Sequence, residues 1–234
     1  MKPPKILYAF DPMILVCGVA FAIVALSLMF GCAASVIRTS DYQTDGMERM
    51  ALSAARIYAY CDGDLQGYGS ATAVGPRQML TAKHMVEACS PAQHPAWLAQ
   101  FPDGTIWPVT EAGKSEEYDA ARLDILEEWG DFPAWAEIAA YTPRKGQRVY
   151  FLTGDGRTID EYPFYFKDGF VAGFDDDGDS LIISTHGVPG NSGCAVFDSN
   201  GALLAVLWGG LWDSSAEFVI VATRPQAWPE LLPR

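Results

Sequence analysis

Beyond residue 52 the chain is a succession of short, apolar, β-prone runs separated by turn signals, and this alternation limits the fold more than any other feature. Runs at 55–60, 70–75 and 78–82 come first, with 105–109 and 119–125 after them. Further runs follow at 147–152, 162–166, 170–174, 180–184, 202–208 and 216–223. Turns at 63–69, Asp103-Gly104, Gly154-Asp155-Gly156 and Asp175-Asp176-Asp177-Gly178-Asp179 punctuate them. Many short strands at such spacing predict an all-β barrel or sandwich, and residues 84–89 suit a single helical turn. Residues 90–100 read as a loop and connecting segment, and 126–144 as a link between two halves. Half of the 234 residues are apolar, enough to bury one domain or two small barrels.

The N-terminal region is of another kind. Residues 12–37 contain no charged side chain, and a bilayer is crossed by roughly 20 apolar residues. Residues 1–38 therefore read as one N-terminal transmembrane or signal helix, followed by a linker at 39–52, the main domain at 53–228 and a tail at 229–234. Lys2 and Lys5 precede the apolar run, while Arg38 is mixed with Asp41, Asp45 and Glu48 beyond it, which favours an inward N-terminus and an exported domain. The end Leu28-Met29-Phe30-Gly31-Cys32 is a loose version of a bacterial lipoprotein signal, and Ala33-Ala34-Ser35 suits an ordinary signal peptidase. A tethered domain, periplasmic or extracellular, is the expectation.

Charge narrows the partners. Without residues 1–39 the chain keeps 13 basic against 28 acidic side chains, a net charge of −15, and such a field repels polyphosphates. Nucleic acid is thus not expected as a partner, and oligomeric state is not legible. Cys61 and Cys89 flank a predicted strand pair and are candidates for a disulfide in an exported domain. Cys194 reads as a small buried residue, and no cysteine pair has zinc spacing. Neither a cofactor nor a metal is expected. The acidic turn 175–179 lacks the spaced ligands and terminal glutamate of a calcium loop, so it reads as a solvated hairpin tip.

One loop concentrates the chemistry. In Pro189-Gly190-Asn191-Ser192-Gly193-Cys194 a serine lies between two glycines, ahead of a β-prone run. Glycines let such a loop turn sharply and aim bare N–H groups into a cavity. A serine hydroxyl is a weak nucleophile near neutral pH, so it needs a base and a third group to orient that base. The histidines are His84, His94 and His186. His84 stands at a strand end, whereas His94 lies in a loop between prolines and is expected in solvent. Asp119 is preferred to Asp124 as the orienting carboxylate, because it stands where a strand begins while Asp124 lies inside one.

These residues carry a resemblance. Gly69-Ser70-Ala71-Thr72-Ala73-Val74, Leu80-Thr81-Ala82-Lys83-His84-Met85-Val86, Asp119-Ala120-Ala121-Arg122-Leu123, Gly146-Gln147-Arg148-Val149-Tyr150 and the serine loop resemble, in order, the motifs of trypsin-like serine peptidases. The HtrA-like and glutamyl-endopeptidase-like branches are the most similar, over residues 53–225. The resemblance implies a chymotrypsin-like double β-barrel with the site between the barrels. It also implies hydrolysis of protein or peptide substrates, with Ser192 as nucleophile, His84 as general base and Asp119 as its orienting partner. The N–H groups of Gly190 and Ser192 would form the oxyanion hole. Leu207-Trp208-Gly209 would pair with the substrate backbone by strand addition. His186 would line or border the primary specificity pocket, where an imidazole suits a glutamate side chain, with a plain packing role as the alternative.

Three departures from the family pattern stand out. Cys194 replaces a second glycine, Lys83 replaces a small residue before the histidine, and no peptide-binding PDZ domain is expected after residue 225. An α/β-hydrolase elbow is excluded, since it needs a glycine at position 194 and a histidine beyond the serine. The rival reading is a catalytically silent trypsin-like fold that binds peptides at the membrane.

Overall fold

The computed structural model describes residues 44–90, 92–154, 164–185, 187–188, 190–212 and 218–233. The expected membrane or signal segment at 1–38 and His186 lie outside the described residues. Among the described residues no helix is long and apolar enough to cross a membrane.

Among the described residues, twelve strands form two closed, antiparallel six-stranded barrels. The first comprises β1 (Ala54–Cys61), β2 (Asp64–Gly75), β3 (Gln78–Thr81), β4 (Pro95–Gln100), β5 (Ile106–Lys114) and β6 (Ala121–Ile125). Its order round the barrel is β1-β2-β3-β6-β5-β4, closed by β4 pairing with β1 from Arg56↔Gln100 to Cys61↔Pro95. The second comprises β7 (Arg148–Gly154), β8 (Phe164–Phe174), β9 (Ser180–Ser184), β10 (Ala195–Phe197), β11 (Leu203–Trp212) and β12 (Phe218–Thr223). It runs β10-β11-β12-β9-β8-β7 and closes where Phe197 meets Tyr150. The double barrel expected from the resemblance is therefore the fold.

Strand alternation builds each core. Ala55, Ile57 and Ala59 of β1 point into the first barrel beside Ala71, Ala73, Met79, Ala99 and Leu123. Small alanines facing larger residues let the inner layers interdigitate in a barrel this narrow. The other face of β1 is buried too, and polar: Arg56 donates to the Tyr58 hydroxyl at 3.4 Å, and Tyr58 donates to Gln100 Oε1 at 3.0 Å. The second barrel encloses Val149, Phe151, Val171, Leu181, Ile183, Val196 and Ala205. A third apolar cluster joins Val74 and Leu80 of the first barrel to Phe197, Leu203 and Val206 of the second.

Several segments differ from expectation: the expected turn at 63–69 is mostly strand, because β2 begins at Asp64 and residues 64–69 pair with β1. Part of the expected linker is a helix, α1 (Thr44–Ser53), whose Met50 is fully buried in the inter-barrel cluster and whose Arg49 stands 4.0 Å from Glu137. Two 3₁₀ turns, Pro225–Ala227 at the end of the expected domain and Pro229–Leu231 in the expected tail, place Trp228 and Leu231 in that same cluster. Burial of these aromatic and aliphatic side chains outweighs the weak local preferences of a proline-broken segment. Finally, part of the expected loop at 90–100 is β4, because the free edge of β1 supplies a partner that alternation alone does not reveal.

Cys61, at the end of β1, and Cys89 are joined in a disulfide with their Cα atoms 5.5 Å apart. Cys89 follows the single-turn helix α2 (Lys83–Val86), so the bridge clamps that turn to the first strand. Closing a loop of 28-residue separation restricts the unfolded chain, which is worth about 3–4 kcal/mol. A Cys61→Ser, Cys89→Ser double variant is expected to lose about that much unfolding free energy in urea titrations, with no loss relative to wild type once both are reduced.

Candidate active site

His84 is carried by α2, immediately after β3. Ala82 in extended conformation ends the strand, and the turn that follows brings the His84 backbone N–H and side chain to one carboxylate. His84 N–H donates to Asp119 Oδ1 at 2.9 Å, and Nδ1 lies 2.7 Å from Asp119 Oδ2. Asp119 thus holds both the turn and the ring. The His84 side chain is 46% exposed and that of Asp119 26%, so the ring is accessible from solvent while the carboxylate behind it is shielded.

The electrostatics follow from this contact. The hydrogen bond to Asp119 raises the His84 pKa above its ordinary value against opposing desolvation, with the charges of Asp119 and Glu87 adding to it. Burial pushes the Asp119 carboxyl up, but the bonds from the His84 ring and backbone outweigh it and leave the pKa below the usual aspartate range. An ionised carboxylate facing Nδ1 favours the tautomer with the proton on that nitrogen and the lone pair on Nε2.

The other candidates lie elsewhere. Asp124 faces Arg122 Nε at 3.0 Å on the outside of the first barrel, half-buried, with burial raising its pKa. His94 is an exposed loop residue paired with Asp62 at 3.0 Å, as expected of a solvent position.

The serine loop belongs to the second barrel and is fastened to the first by β2. Ser70 N–H donates to the Ser192 carbonyl at 2.7 Å, and Ser70 Oγ donates to the Gly190 carbonyl at 2.9 Å. Gly69, next to it, is flanked by the Ser192 carbonyl and by Met85, the neighbour of His84. The middle of β2 therefore touches the serine loop on one side and the histidine turn on the other. Within the loop, Asn191 is buried; its N–H donates to the Val188 carbonyl, its Oδ1 accepts from Val188 N–H, and its carbonyl accepts from Cys194 N–H. Ser70 and Asn191 are the organising residues that sequence reading overlooked. A small polar residue in a strand carries no local mark of a partner more than a hundred positions away.

Gly190 and Gly193 have φ of 95° and 83°, values that L side chains rarely adopt. Gly193 also packs against the Ser70 carbonyl and Thr81 Oγ1, leaving no room for a Cβ. Its N–H donates to the Leu207 carbonyl at 2.7 Å. The N–H groups of Gly190 and Ser192 have no hydrogen-bond partner among the described residues. Stabilisation of an oxyanion requires two such N–H donors aimed at one oxygen.

Beside the loop, β10 covers β11 only to the level of Val206. Gly209 and Gly210 of β11 pair on one side, with Val221 and Ile220 of β12, and a bulge at Trp208 changes the register there. The second edge of this stretch is unpaired among the described residues. Cys194 is buried behind the loop, with Sγ 2.8 Å from the Leu152 carbonyl, a packing role as expected.

Crowding and backbone strain at Gly193 make a quantitative test. Gly193→Ala is expected to cost about 2 kcal/mol or more of unfolding free energy, whereas Gly104→Ala, also at positive φ but with open space around it, costs about 1 kcal/mol. Urea unfolding of both variants measures the difference.

Comparison with known proteins agrees with this fold. The family model described as "Trypsin-like peptidase domain" matches residues 69–206, more than half of the chain. No curated protein matches the chain significantly. Among solved structures, a serine endoprotease from Yersinia pestis aligns with a TM-score of 0.66 at 17% identity, covering 82% of this chain and 66% of that one. The HtrA-type protease AlgW, solved with a tripeptide, aligns with a TM-score of 0.64 at 19% identity, covering 80% and 61%. An inactive mutant form of Rv3671c from M. tuberculosis H37Rv aligns with a TM-score of 0.63 at 15% identity, covering 84% and 95%. The likeness to these structures is one of fold, and the chain spans about two thirds or less of the first two. By its family match, with its pair of six-stranded barrels, the chain belongs to the trypsin-like peptidase domain family.

Proposed function

We propose that the protein is a serine endopeptidase that hydrolyses peptide bonds of proteins through an acyl-enzyme intermediate. The observation that carries the reading is the Asp119–His84 contact at 2.7 Å, on the strand end that β2 links to the Ser192 loop. A partly buried carboxylate fixing the ring of a half-exposed histidine is costly to maintain without a task for the other ring nitrogen.

The steps follow from the groups in place. Ser192 Oγ attacks the substrate carbonyl carbon while His84 Nε2 accepts the hydroxyl proton. Asp119 keeps the other ring proton on Nδ1 and stabilises the imidazolium. The carbonyl oxygen, now an anion, takes hydrogen bonds from the N–H groups of Gly190 and Ser192. The C–N bond breaks as His84 returns its proton to the leaving amine, and the acyl group stays on Ser192. Water, deprotonated by His84, then attacks the ester and releases the acid and the serine. Substrate residues ahead of the scissile bond pair with the open edge of β11 at Trp208 and Gly209.

The same reading places the domain on the exported side of a membrane, tethered through residues 1–38. The uncharged run 12–37 supports the tether, and a disulfide between Cys61 and Cys89 suits an oxidising compartment. Extraction of cell membranes with alkaline carbonate should leave the full chain in the membrane pellet, and recovery in the supernatant refutes the tether.

Labelling with a fluorophosphonate probe tests the chemistry. Wild-type protein should be labelled, Ser192→Ala should not, and Asp119→Asn should lose about 10⁴-fold in turnover of a peptide substrate. Folded wild-type protein that is not labelled at Ser192 marks a peptide-binding module instead. Because His84 must be neutral to act and its pKa is raised, labelling should increase with pH through a midpoint above about 6.5. A rate flat between about pH 5 and 8 rules out His84 as the base.

A further inference from the structure

The loop that presents Asp119 is fastened from both barrels. Within it, Ser115 N–H donates to the Ala120 carbonyl at 2.9 Å, and Tyr118 N–H donates to Ser115 Oγ at 3.2 Å. From the histidine turn, Lys83 Nζ donates to the Ser115 carbonyl at 3.1 Å, giving a use to the lysine that departs from the family pattern. From the second barrel comes a longer reach. The hydroxyl of Tyr118, the residue before Asp119, donates to Asp179 Oδ2 at 2.8 Å, across 61 positions of sequence.

Asp179 is not a side chain on a loose tip. The acidic turn between β8 and β9 is closed by Gly178 N–H to the Asp175 carbonyl and by Ser180 N–H to Asp175 Oδ1. Its far end is pinned to the end of β12, where Arg224 N–H donates to the Asp179 carbonyl at 2.8 Å. Asp175, Asp176 and Asp177 face solvent as expected of a hairpin tip, but Asp179 does not share that role. The Tyr118 ring packs against the inter-barrel apolar cluster, so its hydroxyl adds one directed bond to a contact already in place.

We propose that Tyr118, anchored by Asp179 across the seam, is a positioning residue that holds Asp119 against His84, so that alignment of the base depends on the second barrel. The proposal rests on the reading of His84 as the general base. Adjacent Cα atoms are 3.8 Å apart, so a shift of Tyr118 passes to Asp119 with little slack. The carboxylates facing Tyr118 are Asp179, Glu117 and Asp177, and the hydrogen bond to Asp179 leads in pushing its phenol up to about 12. The hydroxyl therefore remains a donor throughout the range in which the histidine titrates. Facing His84 are Asp119 and Glu87.

The test compares wild type, Tyr118→Phe, Asp179→Ala and Asp179→Asn in the full chain. Kinetics with a peptide substrate give kcat and KM, and the ¹³Cε1 resonances of the three histidines give the His84 titration midpoint without need of activity. Tyr118→Phe and Asp179→Ala should each lower kcat by about ten-fold with KM within about two-fold, and should move the His84 midpoint down. Asp179→Asn, whose amide oxygen still accepts from the phenol, should restore both readouts to near wild type. Wild-type kcat and midpoint in Tyr118→Phe overturn the proposal, as does a loss in Asp179→Asn equal to that in Asp179→Ala. If wild type shows no turnover, the peptidase reading fails separately, while an unmoved His84 midpoint in Tyr118→Phe still refutes the positioning role.

Discussion

The seam between the two barrels is the contact on which everything else depends. Leu80 and Val74 from one barrel meet Phe197, Leu203 and Val206 from the other, with Met50, Trp228 and Leu231 filling the remaining space from both ends of the described chain. Burial of side chains this large stabilises a contact by about 1.5–3 kcal/mol each relative to exposure. The histidine and aspartate belong to the first barrel and the serine loop to the second, so the seam sets their relation. A barrel is rigid because every strand in it is paired, and two rigid bodies joined by a buried apolar contact keep their facing loops in register.

Across that seam runs a small set of polar bonds with a different task. Ser70 binds the carbonyls of Ser192 and Gly190, and Tyr118 binds Asp179. Apolar packing is non-directional and tolerates small sliding motions, whereas a hydrogen bond fixes both distance and angle. The apolar cluster thus brings the barrels together, and the polar bonds at its margin determine which atoms face which. Gly193 belongs to the same margin, since a side chain there would push Ser70 off the serine loop.

Much of the fold is legible from local pattern. The alternation of β1, the Asp103-Gly104 and acidic turns, and the single helical turn at His84 lie where period and turn chemistry place them. The misses share one cause. β4 begins at Pro95 and is rich in alanine, a weak strand signal until the edge of β1 pairs with it. Residues 126–144 and the last turns have no clear period because their contacts come from both barrels at once. Ile138, for example, bridges to Leu203 in the second barrel, while Ala136 N–H donates to Ala73 in the first.

For the site, the sequence by itself determined the chemical groups: a serine between glycines, a histidine at a strand end and acidic residues before a strand, in a consistent order. These are local properties, set by residue type and by neighbours a few positions away. Tertiary structure decided which groups meet. Asp119 faces His84 while Asp124 turns to Arg122, because one lies in a loop closed by its own hydrogen bonds and the other within a paired strand. It also made Asp179 a partner of Tyr118, a relation that no local rule contains, since closing two barrels brings together residues far apart in sequence at a cost that only the folded core offsets.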